Sequence, residues 1–377
     1  MKIFYWCPFL THIATINAVK NSATTLRKYK KNISIKILNS VGEWDFFKNN
    51  HNNISVEDTQ KLKIYKVLPK EGFCKSRFSF LIIGLLNFFP LLKIIKKDKP
   101  DFLIIHLLTI LPIILSPILC KNTRIILRIS GLPNLKFGRG FLWRFFSKYI
   151  YAVTTPTKLT ADMLIEYDIF DKKKIILLRD PILNCNLINN KKKEDLDENF
   201  LNDKFYLSIG RLTNQKNFKF LINSFIKNVN KFKIKKLVIL GEGENYLELK
   251  KIIKKNFMEK NIFLLGFKSN VYNYIFKSEA IISSSLYEDP GFVLLESAFL
   301  RKKIITSIVK NGPLEMYLTG NLCYFFKNNN ELDLVNKMIL SENNSVGEMT
   351  LKALKYSRNF TFFNHYKKLN QLLCQKI

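Results

Sequence analysis

The sequence predicts an α/β protein made of two doubly wound domains, each with a parallel sheet, facing a central cleft. Three observations lead there. Short, continuous apolar runs such as Ile3–Tyr5, Phe102–His106, Phe205–Ile209 and Ala280–Ser283 alternate with longer segments of helical spacing. Strands that are apolar on both faces belong in parallel sheets covered by helices. The pattern stops at a polar stretch near the middle of the chain and then restarts. The length of 377 residues leaves room for two or three domains, at ~150 residues each.

In the first half, strands are expected at Ile3–Tyr5, Ser34–Leu38, Leu62–Val67, Phe102–His106, Arg124–Ile129 and Ala152–Thr154. Helices are expected at about Ile16–Tyr29, Ser79–Lys96 and Pro156–Tyr167, with a Lys99-Pro100-Asp101 turn before the fourth strand. Over Leu183–Asp203 the composition changes to asparagine, lysine and then acidic residues, with little apolar periodicity, and reads as an interdomain linker. Strands then recur at Phe205–Ile209, Lys236–Leu240, Ile262–Leu265, Ala280–Ser283 and Lys303–Thr306. Between them come helices at Phe218–Val229, Tyr246–Asn256, Val271–Lys277 and Pro290–Leu300. The expected division is a domain over residues 1–182, a linker over 183–203, a domain over 204–360, and a C-terminal helix within 361–377 packing back on the first domain.

Sixty-one Lys and Arg against 30 Asp and Glu give a net charge of +31. Residues 1–182 carry +18 of it. Nucleic acid, an anionic membrane surface and plain composition bias are the competing explanations. The chain contains no zinc finger, RNP motif or KH loop, and its basic runs are short and separated, so no nucleic-acid partner is expected. An anionic leaflet attracts such a surface by ~1 kcal/mol per well-placed cation. The six cysteines are single and no C-x-x-C occurs, which fits a reducing compartment. No secretory leader is visible, because Thr11-His12 interrupts the first apolar run. Phe80–Leu92 is too short to span a bilayer, which takes ~20 residues. Phe102–Ile118 contains His106, Pro112 and Pro117 and reads as a strand followed by a helix. The expected location is the cytoplasm, peripheral on the inner face of the plasma membrane.

In doubly wound sheets, ligands bind beyond the carboxyl ends of the strands. Gly210-Arg211 directly follows one strand, and Lys216 follows in the same loop before a helix. Two cations at a strand mouth beside a helix N-terminus make an anion site or are two solvated loop cations. Gly241-Glu242-Gly243 follows the next strand and lacks a third glycine, since Tyr246 stands there; a tight turn explains it equally. Gly266 and Phe267 follow the strand after that, as a base pocket or an ordinary turn. The segment Glu288-Asp289-Pro290-Gly291-Phe292-Val293-Leu294-Leu295-Glu296 is the most informative. Pro290 suits a first helical turn, and amides near Gly291, Phe292 and Val293 can face a phosphate. Glu296 shares a helix face with Phe292 and Val293, within reach of a sugar diol. Asp195-Leu196-Asp197 is a D-x-D lying in acidic linker, and His12, His51, His106 and His365 show no ligand spacing, so no metal is expected.

Taken in order, Ser208-Ile209-Gly210-Arg211-Leu212 with Gln215-Lys216, Gly241-Glu242-Gly243, Leu265-Gly266-Phe267, and Ser285-Leu286-Tyr287-Glu288 through Glu296 resemble the donor domain of glycosyltransferase family 4. These are retaining enzymes of the GT-B fold, two Rossmann-like domains, and the resemblance covers about residues 203–315. It implies that Arg211 and Lys216 hold the diphosphate of a UDP- or GDP-sugar. It further implies that Glu288 contacts the transferred sugar, that Gly291–Val293 amides lie near its hydroxyls and the phosphate, and that Glu296 binds the ribose. No cofactor beyond this donor substrate is implied. The usual Glu-Gly-Phe start is here Glu288-Asp289-Pro290. Lys75-Ser76-Arg77-Phe78, Pro100-Asp101 through His106-Leu107-Leu108-Thr109, Arg128 through Pro133 and Thr155-Pro156-Thr157 resemble bacterial surface-polysaccharide transferases, of the kind that make lipopolysaccharide and capsule. Ser130-Gly131 stands where many members have a catalytic-loop histidine, and Thr11, His12 and Thr15 replace a Gly-rich loop. His12, His106 and Ser130 become acceptor-cleft candidates, although His106 is equally a core histidine. The expected reaction moves a hexose or N-acetylhexosamine to a lipid-linked or oligosaccharide acceptor. A GT-B sugar-nucleotide epimerase and a basic nucleic-acid-binding protein are the rival readings.

Overall fold

The fold is that of a computed structural model of the chain, described over residues 1–11, 14–48, 54–70, 73–131, 135, 138–196, 203–320, 322–345 and 347–375. The chain divides into two compact units: Met1–Pro181 with Phe362–Ile377, and Ile182–Thr361.

The first unit holds β1 (Lys2–Trp6), β2 (Ser34–Asn39), β3 (Ser55–Asp58), β4 (Phe102–Ile105), β5 (Arg124–Arg128), β6 (Ala152–Thr155) and β7 (Ile175–Leu177). All pair in parallel, in the order β3-β2-β1-β4-β5-β6-β7. Its helices are α1 (Ala14–Tyr29), α2 (Phe73–Asp98), α3 (Ile110–Leu119), α4 (Arg139–Phe146) and α5 (Lys158–Glu166). Side chains alternate across each strand. Ile3, Tyr5, Ile104 and Ile126 face the layer containing α1, while Phe4, Trp6, Leu103 and Ile105 face the layer of α2, α3 and α4. Both faces are covered, which is why the strands read as unbroken apolar runs.

The second unit holds β8 (Phe205–Ile209), β9 (Lys236–Leu240), β10 (Ile262–Leu264), β11 (Ala280–Ser283), β12 (Lys303–Ser307) and β13 (Tyr324–Phe326). These are also parallel, in the order β10-β9-β8-β11-β12-β13. Around them lie α6 (Cys185–Lys191), α7 (Phe218–Asn228), α8 (Tyr246–Lys255), α9 (Tyr272–Lys277), α10 (Phe292–Phe299), α11 (Gly312–Leu318), α12 (Glu331–Asn343) and α13 (Glu348–Ser357). The strand order reverses beside β8, between β9 and β11. A crevice forms at such a switch point.

The last helix, α14 (Phe362–Cys374), returns to the first unit and packs on α1. Leu369, Leu372 and Leu373 join the core under β1. His365 is buried there: its Nε2 pairs with Ser22 Oγ at 2.8 Å and its Nδ1 with the Arg179 carbonyl at 2.7 Å. Burial pushes its pKa down to about 3, so the ring is neutral in the folded chain.

Three expectations need correction. The strand expected at Leu62–Val67 is absent. That stretch turns on the Ile64 carbonyl, which accepts from Val67 and Leu68, and the third strand is Ser55–Asp58. As an edge strand with half-exposed polar residues, β3 has no apolar signature to read. The stretch read as linker is structured over its first part. Leu183 and Ile188 are buried, and Asn184 caps α6 by accepting from the Leu187 amide at 3.3 Å. Its asparagines looked like loop, but asparagine is also a preferred cap. The helix expected from Ser79 begins at Phe73 and runs 26 residues through Pro90. By length and composition it could cross a membrane, yet Ile83, Leu91 and Ile95 are buried.

All three tryptophans, Trp6, Trp44 and Trp143, lie in the first unit. Deleting residues 362–375 is expected to lower the stability of that unit by at least about 4 kcal/mol, at ~2–3 kcal/mol per buried leucine lost. The measurement is denaturant unfolding followed by tryptophan fluorescence; an unchanged midpoint would contradict the packing.

Candidate functional site

The ends of β8, β9, β10 and β11 meet through backbone. Gly210 N–H bonds the Leu240 carbonyl at 3.0 Å, Leu212 N–H the Glu242 carbonyl at 2.8 Å, and Gly241 N–H the Gly266 carbonyl at 2.8 Å. Gly241 is required by this closeness. Its φ is +137°, and a Cβ would stand 1.9 Å from the Gly210 carbonyl oxygen. Gly210 in turn leaves room for the stem of Lys216, which passes 3.0 Å from where a Cβ would sit.

Lys216 ends a tight turn after β8, and its Nζ pairs with Glu288 Oε1. Both side chains are mostly buried. The same carboxylate oxygen accepts from Ser285 Oγ at 2.7 Å. Ser284 Oγ donates to the Lys216 and Asn217 carbonyls at 3.0 and 3.1 Å, and Gln215 Nε2 donates to the Tyr287 carbonyl at 2.9 Å. The loop after β8 is thereby sewn to the loop after β11. One N–H of the Lys216 ammonium is used on Glu288, and an ammonium has three. Arg211 is exposed and its side chain has no partner among the described residues.

Glu288 leads into α10. The helix begins at Phe292, with Gly291 at its N-cap at φ +89°, so Pro290 precedes the helix instead of occupying its first turn as expected. The proline rule was outranked by the glycine, whose left-handed conformation sets the cap. The amides of Phe292, Val293 and Leu294 lie ahead of the first intrahelical bond, from Leu295 N–H to the Gly291 carbonyl at 3.2 Å. One turn in, Glu296 accepts from Tyr272 Oη at 3.1 Å. Desolvation pushes its carboxyl up to about 7, and the Tyr272 bond pulls the other way. Gly266 lies in the left-handed region, while the Phe267 ring is 71 % exposed and is not enclosed.

Lys216, Glu288 and the start of α10 are thus in one place, with Gly210, Gly241 and Gly243 as the floor. Tyr272 and Gly312 were not singled out from sequence, and Ser285 was named there only as part of a motif, without a role. Gly312 packs so closely on Pro290 that a Cβ would stand 1.8 Å from its carbonyl oxygen. The Gly312-Pro313 pair that opens α11 was the available signal. Tyr272 had none, since its partner lies 24 residues away.

In the first unit, His106 and Ser130 line one cavity of about 960 Å³ together with residues of α2, α3 and α4. His106 is buried, its Nδ1 has no hydrogen-bond partner among the described residues, and burial, followed by the nearby Arg128, holds its pKa well below the usual value. Arg128 is committed to the Leu178 carbonyl at 2.6 Å and to Asp180 at 2.5 Å. His12 lies outside the described residues, as does Asp197 of the D-x-D. Among the described residues no three His, Cys, Asp or Glu side chains converge as metal ligands.

Gly241→Ala is expected to lower stability by about 2 kcal/mol or more, because a methyl cannot fit against the Gly210 carbonyl. Gly84→Ala, inside α2 with nothing within 4 Å of the new carbon, is expected to gain ~0.5–1 kcal/mol. Calorimetric melting of the two variants tests this contrast.

Known proteins resemble the chain in sequence and in fold. Residues 189–360 match the family described as Glycosyl transferases group 1. An uncharacterized glycosyltransferase of Methanocaldococcus jannaschii is 30 % identical over 245 residues, 60 % of this chain and 60 % of that protein. The N-acetylgalactosamine-N,N'-diacetylbacillosaminyl-diphospho-undecaprenol 4-alpha-N-acetylgalactosaminyltransferase of Campylobacter jejuni is 29 % identical over 205 residues, 52 % of this chain and 54 % of the relative. The matches therefore span little more than half the length of these curated relatives. The crystal structure of HepE from Anabaena in complex with UDP superposes with a TM-score of 0.74, covering 99 % of each chain at 13 % identity. The chain has the GT-B fold of two parallel-sheet α/β units, and its second unit matches the group 1 glycosyl transferases in sequence.

Proposed function

We propose that the chain transfers a hexose or N-acetylhexosamine, with retention of configuration, from a UDP- or GDP-sugar to a lipid-linked or oligosaccharide acceptor at a membrane surface, in bacterial surface-polysaccharide synthesis. The observation that carries this reading is the Lys216–Glu288–Ser285 cluster at the head of α10, with Glu296 one turn further along.

The chemical demand is to stabilise charge on a departing diphosphate. Arg211 is uncommitted, Lys216 keeps two N–H groups beyond the one on Glu288, and the first amides of α10 add a positive helix end. Glu288, fixed by Lys216 and Ser285, contacts the transferred sugar. Glu296 accepts from the ribose hydroxyls, and Gly266 and Phe267 flank the base. In the step itself the bond from the anomeric carbon to the diphosphate oxygen breaks, and that oxygen keeps the electron pair. The acceptor oxygen bonds to the anomeric carbon on the same face, and its proton passes to the leaving phosphate. The acceptor is assigned to the first unit, where His106 and Ser130 line the cavity.

Ionisation of Glu296 adds a testable sign. Its pKa is about 7 in the folded chain, against about 4.3 unfolded. The folded state therefore holds the proton more tightly, and this group's contribution is lost as pH rises from the unfolded value through 7. Glu296→Gln is expected to stabilise the unliganded protein by roughly 1 kcal/mol at pH 8 and by little at pH 4, read from denaturation at both pH values.

The activity test is nucleotide release over a panel of sugar nucleotides. Lys216→Ala is expected to lower kcat/KM by about 100-fold, within the range for loss of a preorganised charge-stabilising group. Glu296→Ala is expected to act mainly on donor KM. Unchanged turnover in both variants would contradict these roles.

A further inference from the structure

Helices α2, α3 and α4 cover one face of the first sheet, and α3 packs against both neighbours. Their inner residues are core, but their outer residues are not polar. On α2, Phe78, Leu81, Leu85 and Phe89 are each more than half exposed. Spacings of three and four residues put them on one stripe. Phe141 and Phe145 on α4 are 72 % and 60 % exposed. Single exposed apolar residues are ordinary, whereas an organised stripe marks a surface that something covers. Exposed Lys75 and Lys96 stand at the two ends of the α2 stripe, at positions suited to anionic headgroups.

The stripe leads inward. Leu81 and Leu85 also line the cavity of about 960 Å³, as does Ile114 of α3. The lining also includes His106, whose Nδ1 has no partner among the described residues, and three arginines, of which Arg128 is paired with Asp180 and Arg77 and Arg139 lie on α2 and α4. Among the described residues no acidic side chain lines this cavity. Desolvation, and after it the charge of Arg77, holds the Arg139 pKa below its usual value. Guanidinium groups on two helices lining one apolar cavity suit an anion there, and their planar forks suit a phosphate. The occupant that satisfies every wall is a phosphate carried on a long apolar chain.

We propose that the outer face of α2 and α4 docks on a bilayer and that the cavity takes a phosphate-linked lipid, its phosphate between Arg77 and Arg139 and its chain along Leu81, Leu85 and Ile114. This rests on the glycosyl-transfer reading, since it names the class of acceptor, and it places the lipid end of that acceptor in the first unit.

The test is co-flotation of the full chain with phosphatidylcholine vesicles that carry either polyprenyl phosphate or the uncharged polyprenol. Vesicles with the phosphate are expected to retain the chain at least about tenfold better, as two well-placed cations imply. Arg77→Gln with Arg139→Gln is expected to erase that preference. Leu81→Gln with Leu85→Gln is expected to weaken binding to both vesicles by about tenfold or more. Inorganic phosphate is expected not to compete. Equal binding of the wild type to both vesicles, a preference that survives loss of both arginines, full competition by inorganic phosphate, or self-association of the chain in place of vesicle binding would each overturn the proposal. Thermal protection by UDP and GDP, measured on the same proteins, keeps the two readings apart. If neither protects the wild type, the donor reading fails. If one protects every variant alike while the vesicle results go the wrong way, only the lipid site fails.

Discussion

The ion pair between Lys216 and Glu288 is the constraint on which the second unit's site depends. It ties together two loops 72 residues apart in sequence. A mostly buried carboxylate and a mostly buried ammonium each need the other, since an unpaired charge in that position is strongly unfavourable. Once made, the pair fixes where the chain leaves β8, where it leaves β11, and how it enters α10. Ser285 holds the carboxylate from the other side. The glycine floor is a precondition, because the lysine stem can lie across Gly210 only where there is no side chain.

The two units share one architecture and differ in what lines their strand ends. In the second unit, four strand ends are joined by backbone hydrogen bonds and present cations, amides and carboxylates. In the first, the ends of β4 and β5 open into a cavity walled by leucine, isoleucine and phenylalanine, with arginines as its charged groups. That contrast follows from the helices. The second unit's α7 and α8 pair Lys219 and Glu248 at their surface, while α2 carries an exposed apolar stripe of Phe78, Leu81, Leu85 and Phe89.

Much of this was legible in the residues. The parallel strands of the second unit other than β13, the loop positions of Gly210, Lys216 and Gly241, and the strand-to-helix placement of Glu288 and Glu296 all follow from apolar runs and the residues that interrupt them. Contacts made through tertiary closeness were not legible. Tyr272 has no local pattern that predicts its bond to Glu296, and β3 is polar because it is an edge. The start of α10 was misplaced by two residues because Pro290 is a good first-turn residue and only the left-handed φ of Gly291 reveals the true cap. The full length of α2 was missed at its N-terminal end because of the polar residues before Phe78, which the helix accommodates there.

The central claim is that the loops after β8 and β11 and the head of α10 form one nucleotide-diphosphate site. Hydrogen–deuterium exchange on the full chain, with and without UDP or GDP, tests it most directly. The account predicts slowed exchange confined to residues 210–217 and 285–296, together with the neighbouring turns at 241–243 and 265–267. Protection confined to the first unit, or none with either nucleotide at saturating concentration, would contradict it.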